Sequence, residues 1–245
     1  MKNLHTTCLL LGMAAMSNAQ QDRNIIKLNL PSVSLNTYAI QYERVIKSKQ
    51  SIALGIAVSP NTDLPFKKRL MDAFGGNTDV RNAIQTTRFT KVTITPEYRF
   101  YLSKKEAPAG FYIAPFARYT HLNIDQDYRY TPANGIEHVA SLKGHFNGIG
   151  GGAMIGMQWM LGKNITLDWW ILGPFIGDLD AQFSGADDMS DLSAQDKAEL
   201  ERNIEDVDIP LWTIDATVGD NIVTAKIKGP FYGVRAFGIN VGIRF

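Results

Sequence analysis

Glu43, Glu97 and a small set of histidines are the side chains of this chain best suited to chemistry. Two carboxylates act as general acid and base when a substrate reaches both at a suitable separation. His121, His138 and His145, with Ser141 between the last two, are residue types found in hydrolase sites, but no acylhydrolase or protease signature surrounds them. Gly150-Gly151-Gly152 lacks the Lys-Ser/Thr pair and the following helix pattern of a phosphate-cradling loop. Asp187-Asp188 and Asp206-x-Asp208 lack the ordered ligand spacing of an EF-hand and read as a solvated acidic face. The expectation is a protein that is not an enzyme, with no catalytic residue, no metal and no cofactor.

The elements that carry these residues alternate with period two, the period of a strand with distinct faces. Between Asn24 and Leu35, Ile26, Leu28 and Leu30 share one parity, with Lys27 and Asn29 between them. Between Thr37 and Ile46, Tyr38, Ile40 and Tyr42 oppose Gln41 and Glu43. From Ser51 to Ser59, Ile52, Leu54, Ile56 and Val58 oppose Ala53, Gly55 and Ala57. The clearest case is Thr87 to Leu102, where Val92, Ile94, Tyr98 and Phe100 oppose Lys91, Thr93, Thr95, Glu97 and Arg99. Pro96 lies on the apolar parity and marks a local break in pairing. Further strands are expected at 111–124, 143–161 and 164–172, and a last one from Phe231. That makes eight, and the glycines opposite Ile149, Ala153 and Ile155 permit the curvature of a narrow barrel.

A soluble β-sandwich also alternates, but it does not account for charges on so many inward faces. Lys27, Glu43, Glu97, Arg99, Arg118 and Asp168 all fall on the inward parity. An eight-stranded barrel is just wide enough inside for side chains, and an unpaired buried charge is costly. These groups are therefore expected to form an interior polar network that plugs the barrel, with a narrow proton or ion path as the alternative. Lys27 is placed near Glu43, and Glu97 between Arg99 and Arg118. Arg235 breaks the parity of the last strand; either it snorkels near a rim or a bulge reverses its facing.

The first 19 residues read as a cleaved secretory leader: Lys2, the apolar run Leu9–Met16, then Ser17-Asn18-Ala19 before the cut. The run is shorter than the roughly 20 residues of a membrane-crossing helix. The one cysteine, Cys8, leaves with the leader. Residues 20–245 then form a single domain with 24 basic and 24 acidic side chains, a balance that does not suggest a nucleic-acid partner.

Connection lengths alternate as well. Turns at 47–50, 103–110 and 162–163 are short and fall on the periplasmic side; connections at 60–86, 125–142 and 173–230 are long and fall outside. A short amphipathic helix is expected within Asp63–Ala83, covering the mouth or touching lipopolysaccharide, and another near Ser193–Ile204, with Ser193 as its cap. The aromatics Tyr38, Tyr119, Trp159, Trp169, Trp212 and Phe245 suit interfacial anchoring.

The last strand, with Phe237, Ile239, Val241, Ile243 and Phe245 on one parity, resembles the terminal signal of Gram-negative outer-membrane barrels. The segments Asn24-Ile25-Ile26-Lys27-Leu28-Asn29-Leu30, Gln41-Tyr42-Glu43-Arg44 and Thr95-Pro96-Glu97-Tyr98-Arg99-Phe100-Tyr101 resemble a family of small outer-membrane barrels of unknown function, similar in architecture to the OmpA membrane domain and OmpX. The resemblance implies an all-β fold, a transmembrane eight-stranded antiparallel up-and-down barrel with short helices in the external loops. It implies location in a Gram-negative outer membrane, contact with lipid and lipopolysaccharide, and handling by the barrel-assembly machinery. The external loops would meet a protein or glycan partner, or serve an envelope-structural role. The alternatives are a small channel for hydrophobic compounds and a lipid-modifying enzyme with a rim histidine.

Overall fold

The computed structural model describes residues 23–74, 76, 78–130, 138–186, 188–190, 193–206 and 211–245. The expected leader, Met1–Ala19, lies outside the described residues, as do Asp187 and Asp208. The strands are β1 (Asn24–Asn29), β2 (Tyr38–Lys47), β3 (Gln50–Asp63), β4 (Arg88–Tyr101), β5 (Gly110–Tyr130), β6 (His138–Leu161), β7 (Ile165–Ala186), β8 (Thr213–Val218) and β9 (Ile222–Arg244). The helices are α1 (Leu30–Val33), α2 (Lys67–Phe74), α3 (Thr78–Thr86) and α4 (Ala194–Glu205).

Eight antiparallel strands close into a ring in the order β1-β2-β3-β4-β5-β6-β7-β9, and β9 pairs back onto β1. Asn24 and Phe245 meet at the end called lower here, beside the tight turns at 48–49 and 162–164. The helices lie at the upper end. The ninth strand, β8, pairs only with the upper part of β9, from Val223 to Lys228.

The wall is uneven in height. β1 stops after six residues because Asn29 turns into an N-cap: its Oδ1 accepts from Ser32 N at 2.9 Å, and Pro31 opens helix α1. Proline has no amide to donate to a ladder and suits the first helical turn. The first segment is thus shorter than the strand to Leu35 that its alternation suggested. β5, β6, β7 and β9 instead run 21 to 24 residues, well beyond their expected limits. Among the described residues, strand continues through 125–130 and 138–142 of the first expected connection and through 173–186 and 222–230 of the second, which also contains α4 and β8.

The reason is visible along each tall strand. On the outward face of β5, Ile113, Pro115, Ala117 and Tyr119 give way to His121, Asn123, Asp125 and Asp127. On β6, Trp159, Met157 and Ile155 give way upward to Asn147, His145 and Lys143. On β7, Ile165, Leu167 and Trp169 give way to Asp178, Asp180 and Gln182. The inward face reverses with it, from Gln158 and Asp168 below to Phe146, Leu142, Leu179 and Phe183 above. The lower half is polar inside and apolar outside; the upper half has the polarity of a protein in water. Thus Arg99 is 0% exposed, whereas Ile52, on the lower exterior, is 43% exposed.

Pro96 keeps its place opposite Leu54 on β3, while the bridges to β5 are interrupted between Ile94 and Glu97. A proline in a ladder lacks one donor, so one side of the strand loses pairing.

Candidate functional site

The lower half of the ring is filled by charged side chains that reach the axis from alternate positions of each strand. Arg99, from β4, is the hub. Its Nε and Nη2 donate to Glu97 Oε2 at 3.0 and 2.8 Å, Nη2 also donates to Gln41 Oε1 at 2.9 Å, and Nη1 donates to Asp168 Oδ2 at 2.8 Å and Gln158 Oε1 at 3.1 Å. The Lys27 ammonium, from β1, meets Asp168 at 2.7 Å, Gln158 at 2.9 Å and Glu43 at 2.5 Å. The Tyr101 hydroxyl donates to Glu43 at 2.6 Å and the Tyr112 hydroxyl to Asp168 at 2.7 Å. Ser51 donates to Glu43, and the Arg99 guanidinium lies 4.5 Å from the centre of the Tyr112 ring. With Arg235 from β9, all eight ring strands contribute.

Arg235 enters by a bulge. Phe237 adopts φ +57° and stands 76% exposed, so Arg235 and Gly238, three positions apart rather than two, both face inward. Opposite it, β7 adjusts in step: its register against β6 shifts between Ile155 and Gly156. A left-handed conformation at a bulky residue costs about 1–3 kcal/mol and persists where surrounding contacts over-determine it. Here the contacts are an ion pair from Arg235 Nη2 to Glu97 Oε1 at 2.7 Å and the stacking of the guanidinium on Trp170 and Phe116, 4.4 and 4.9 Å from the ring centres. Of the two facings open to Arg235 from its parity, the folded chain adopts the inward one.

Lys27, Glu43, Glu97, Arg99 and Asp168 are thus brought together. Three cations (Lys27, Arg99, Arg235) meet three carboxylates (Glu43, Glu97, Asp168), so the plug is electrically balanced. Arg118 is not in this network. It points inward one level higher, its guanidinium 5.6 Å from the centre of the Phe175 ring. Parity placed it correctly on the inside, but height along the axis depends on the stagger between strands, which parity does not carry. Gln41, Tyr101, Tyr112 and Gln158 are uncharged partners outside the set predicted from charge, and Arg235 joins them through its bulge. Gln41 and Tyr101 share the parity of Glu43 and Arg99 two residues away, a signal that was available.

The carboxylates and two of the histidines suited to chemistry are engaged in structural contacts. Glu43 and Glu97 are sealed in the plug, each already paired to a cation. His121 Nδ1 lies 2.8 Å from Asn147 Oδ1, and His145 Nδ1 lies 2.7 Å from Asn123 Oδ1. These are directly opposed residues on the outward faces of β5 and β6, cross-strand pairs that tie the ladder. Among the described residues no group of three or more His, Cys, Asp or Glu side chains is placed to hold a metal ion.

At the top, α4 begins with a capping box: Ser193 Oγ accepts from Asp196 N at 3.2 Å and Asp196 Oδ2 accepts from Ser193 N at 3.0 Å. Ser193 Oγ also donates to Asp196 Oδ2 at 2.6 Å, and that bond first, then the one from Ser193 N, holds the Asp196 carboxyl below its ordinary pKa. One turn apart on the same helix, Glu205 and Glu201 accept from the amides of Ala216 and Val218 at 2.9 and 3.3 Å. These are alternate amides on the edge of β8 that faces away from β9, so the helix covers a strand edge that would otherwise invite pairing.

No curated protein matches the chain. The chain is similar to the N-terminal β-barrel domain of OprF from Pseudomonas aeruginosa, at 8% identity and a TM-score of 0.32, over 92% of this chain and 98% of that one. A family model described as Protein of unknown function (DUF3575) matches residues 5–200, and the chain belongs to that family.

Proposed function

We propose that this chain is a non-enzymatic outer-membrane barrel of a Gram-negative cell, anchored by its lower half and carrying a recognition surface on its upper half and loops. The observation that carries the reading is the reversal of polarity along single strands. Charges buried inside an apolar exterior are stable where the surroundings are hydrocarbon, and a closed ring leaves no backbone group unpaired there. An apolar core inside a polar exterior is stable in water. One strand with both patterns crosses from one solvent to the other.

The plug supports an anchor rather than an axial pore, since side chains from every strand meet at the axis. The upper end supports contact with lipopolysaccharide. Lys67, Lys68 and Arg69 of α2 lie beside the exposed Phe66 and Phe74, a basic and apolar combination that suits phosphorylated lipid heads. Alternate outward residues Ile239, Val241 and Ile243 make the last strand a fitting element for the barrel-assembly machinery. A protein or glycan partner would be met by α4, β8 and the strand tops.

The test is refolding and loop removal. The purified chain is expected to fold only with detergent or lipid, and to keep inserting when 188–221 is replaced by a short turn. A folded monomer in detergent-free buffer would overturn the membrane anchor, and loss of insertion on trimming would overturn the separation of anchor from recognition surface.

A further inference from the structure

Directly above the balanced plug lies a ledge of surplus positive charge. Lys91 and Arg118 face inward at this level, and among the described residues neither has a carboxylate within ion-pairing distance. They line a cavity of about 160 Å³ together with Thr93, Trp170, Arg235 and Asn240. Two donors buried around it have no hydrogen-bond partner among the described residues: Arg235 Nη1 and Trp170 Nε1. Arg235 is only 7% exposed. A buried donor left unpaired costs about 1–3 kcal/mol, more when it is charged, so this grouping is stabilised by an anionic acceptor.

A second, apolar cavity, lined by different residues, lies next to the ledge. Thr93 Oγ1 lies 3.2 Å from Thr120 Oγ1, and Thr120 borders this cavity, of about 350 Å³, with Leu122, Phe146, Leu179, Trp212 and Phe231. The Phe175 ring stands between the two levels, with Arg118 5.6 Å and the Phe231 ring 5.1 Å from its ring centre. Small-molecule sites of roughly 300–1,000 Å³, mostly apolar with a few placed polar groups, have this character.

The wall beside the ledge is incomplete. β1 pairs with β9 only from Asn240 to Arg244, and β8 pairs with it only from Val223 to Lys228. Between them, Gly229–Ile239 has no strand on that edge among the described residues; the short helix α1 lies there instead. Ser32 of α1 and Leu35 just after it border the ledge cavity, and Val234 and Phe237 are exposed on the adjacent exterior. A lipid-borne molecule would meet the ledge from the side.

We propose that these two adjacent cavities bind a single-chain anionic amphiphile, a long-chain fatty acid, with its carboxylate on Arg118, Lys91 and Arg235 and its acyl chain along Phe175, Phe231, Leu122 and Phe146. The inference rests on the reading that the lower half stands in lipid. The basic groups at the lower level suit a carboxylate, and the apolar lining of the upper cavity suits an acyl chain.

The test uses the full mature chain in lipid nanodiscs, with insertion first verified by heat-modifiable migration. Palmitate labelled with ¹³C at the carboxyl is titrated against discs with and without protein. A saturable protein-bound resonance is expected, which methyl palmitate and acetate each displace at least tenfold less well than unlabelled palmitate. The double variant Lys91→Gln, Arg118→Gln is expected to bind at least tenfold more weakly. Absence of the bound resonance in inserted protein, equal displacement by the methyl ester, or unchanged affinity in an inserted double variant would overturn the fatty-acid site and leave the anchor standing. Failure of the natural chain to insert would overturn both. If the double variant does not insert, the comparison of acid with ester on the natural chain decides.

Discussion

The lower and upper halves of this barrel are built from the same strands with opposite wiring. Below, Arg99 and Lys27 are buried in a ring of carboxylates and amides, and isoleucines and leucines face outward. Above, Phe146 and Phe183 pack edge to face at 5.0 Å inside the sheet, while Lys143, His145 and Asp180 face outward. β5 and β6 keep one alternation across the boundary while β7 and β9 shift theirs by an irregularity; in all four the two faces exchange their partners. A sheet's period reports two faces, and only the surrounding solvent says which face is the exterior.

The largest effect should come from breaking the plug. Arg99→Met leaves three buried carboxylates sharing fewer cations and is expected to destabilise the barrel by about 3–5 kcal/mol, measured by urea unfolding in lipid vesicles. An outward substitution in the lower half comes next. Leu54→Arg should cost about 2–4 kcal/mol if it stands near the middle of the hydrocarbon, whereas Gln182→Arg, outward on the upper half, should leave stability within about 0.5 kcal/mol. Equal costs at the two positions would erase the distinction between the halves.

A smaller effect sharpens the account of the upper half alone. Glu201→Ala with Glu205→Ala removes the acceptors of the Ala216 and Val218 amides. Hydrogen exchange at those two amides should accelerate roughly fivefold, as expected for about 1 kcal/mol, with the plug amides unchanged. The smallest effect is the pH response of α4. Because the Asp196 pKa is depressed in the folded chain, its cap contributes fully above the ordinary aspartate pKa and is lost as pH falls through the lowered value. Asp196 carboxyl shifts followed by NMR should show that depressed midpoint, and Ser193→Ala should return it toward the ordinary value.

Much of the lower half was legible from Lys27, Glu43, Glu97, Arg99 and Asp168, because a period of two assigns each to a face without any knowledge of its neighbours. The Ser193 cap of α4 was equally local. The upper half is less legible, and the expectation of loops at 125–142 and 173–230 fails, because a rule that equates apolar residues with the outward face does not register an alternation of inverted sign. His121, Asn123 and Asp125 alternate as regularly with Leu122 and Ile124 as the lower residues do, but with the signs exchanged. Arg235 was undecidable for a different reason: a single left-handed residue, Phe237, shifts the parity of everything before it, and no composition signal marks that residue.

The chain's own pattern determined that alternate residues would separate into two faces and that one face would gather the charges, because side-chain direction in a strand depends only on position. That Arg235 completes the plug and that Arg118 stands above it with Lys91 is settled by assembly of the ring. Pairing across a barrel depends on stagger and closure among strands as distant as β1 and β9, and those are properties of the assembled ring rather than of any one segment.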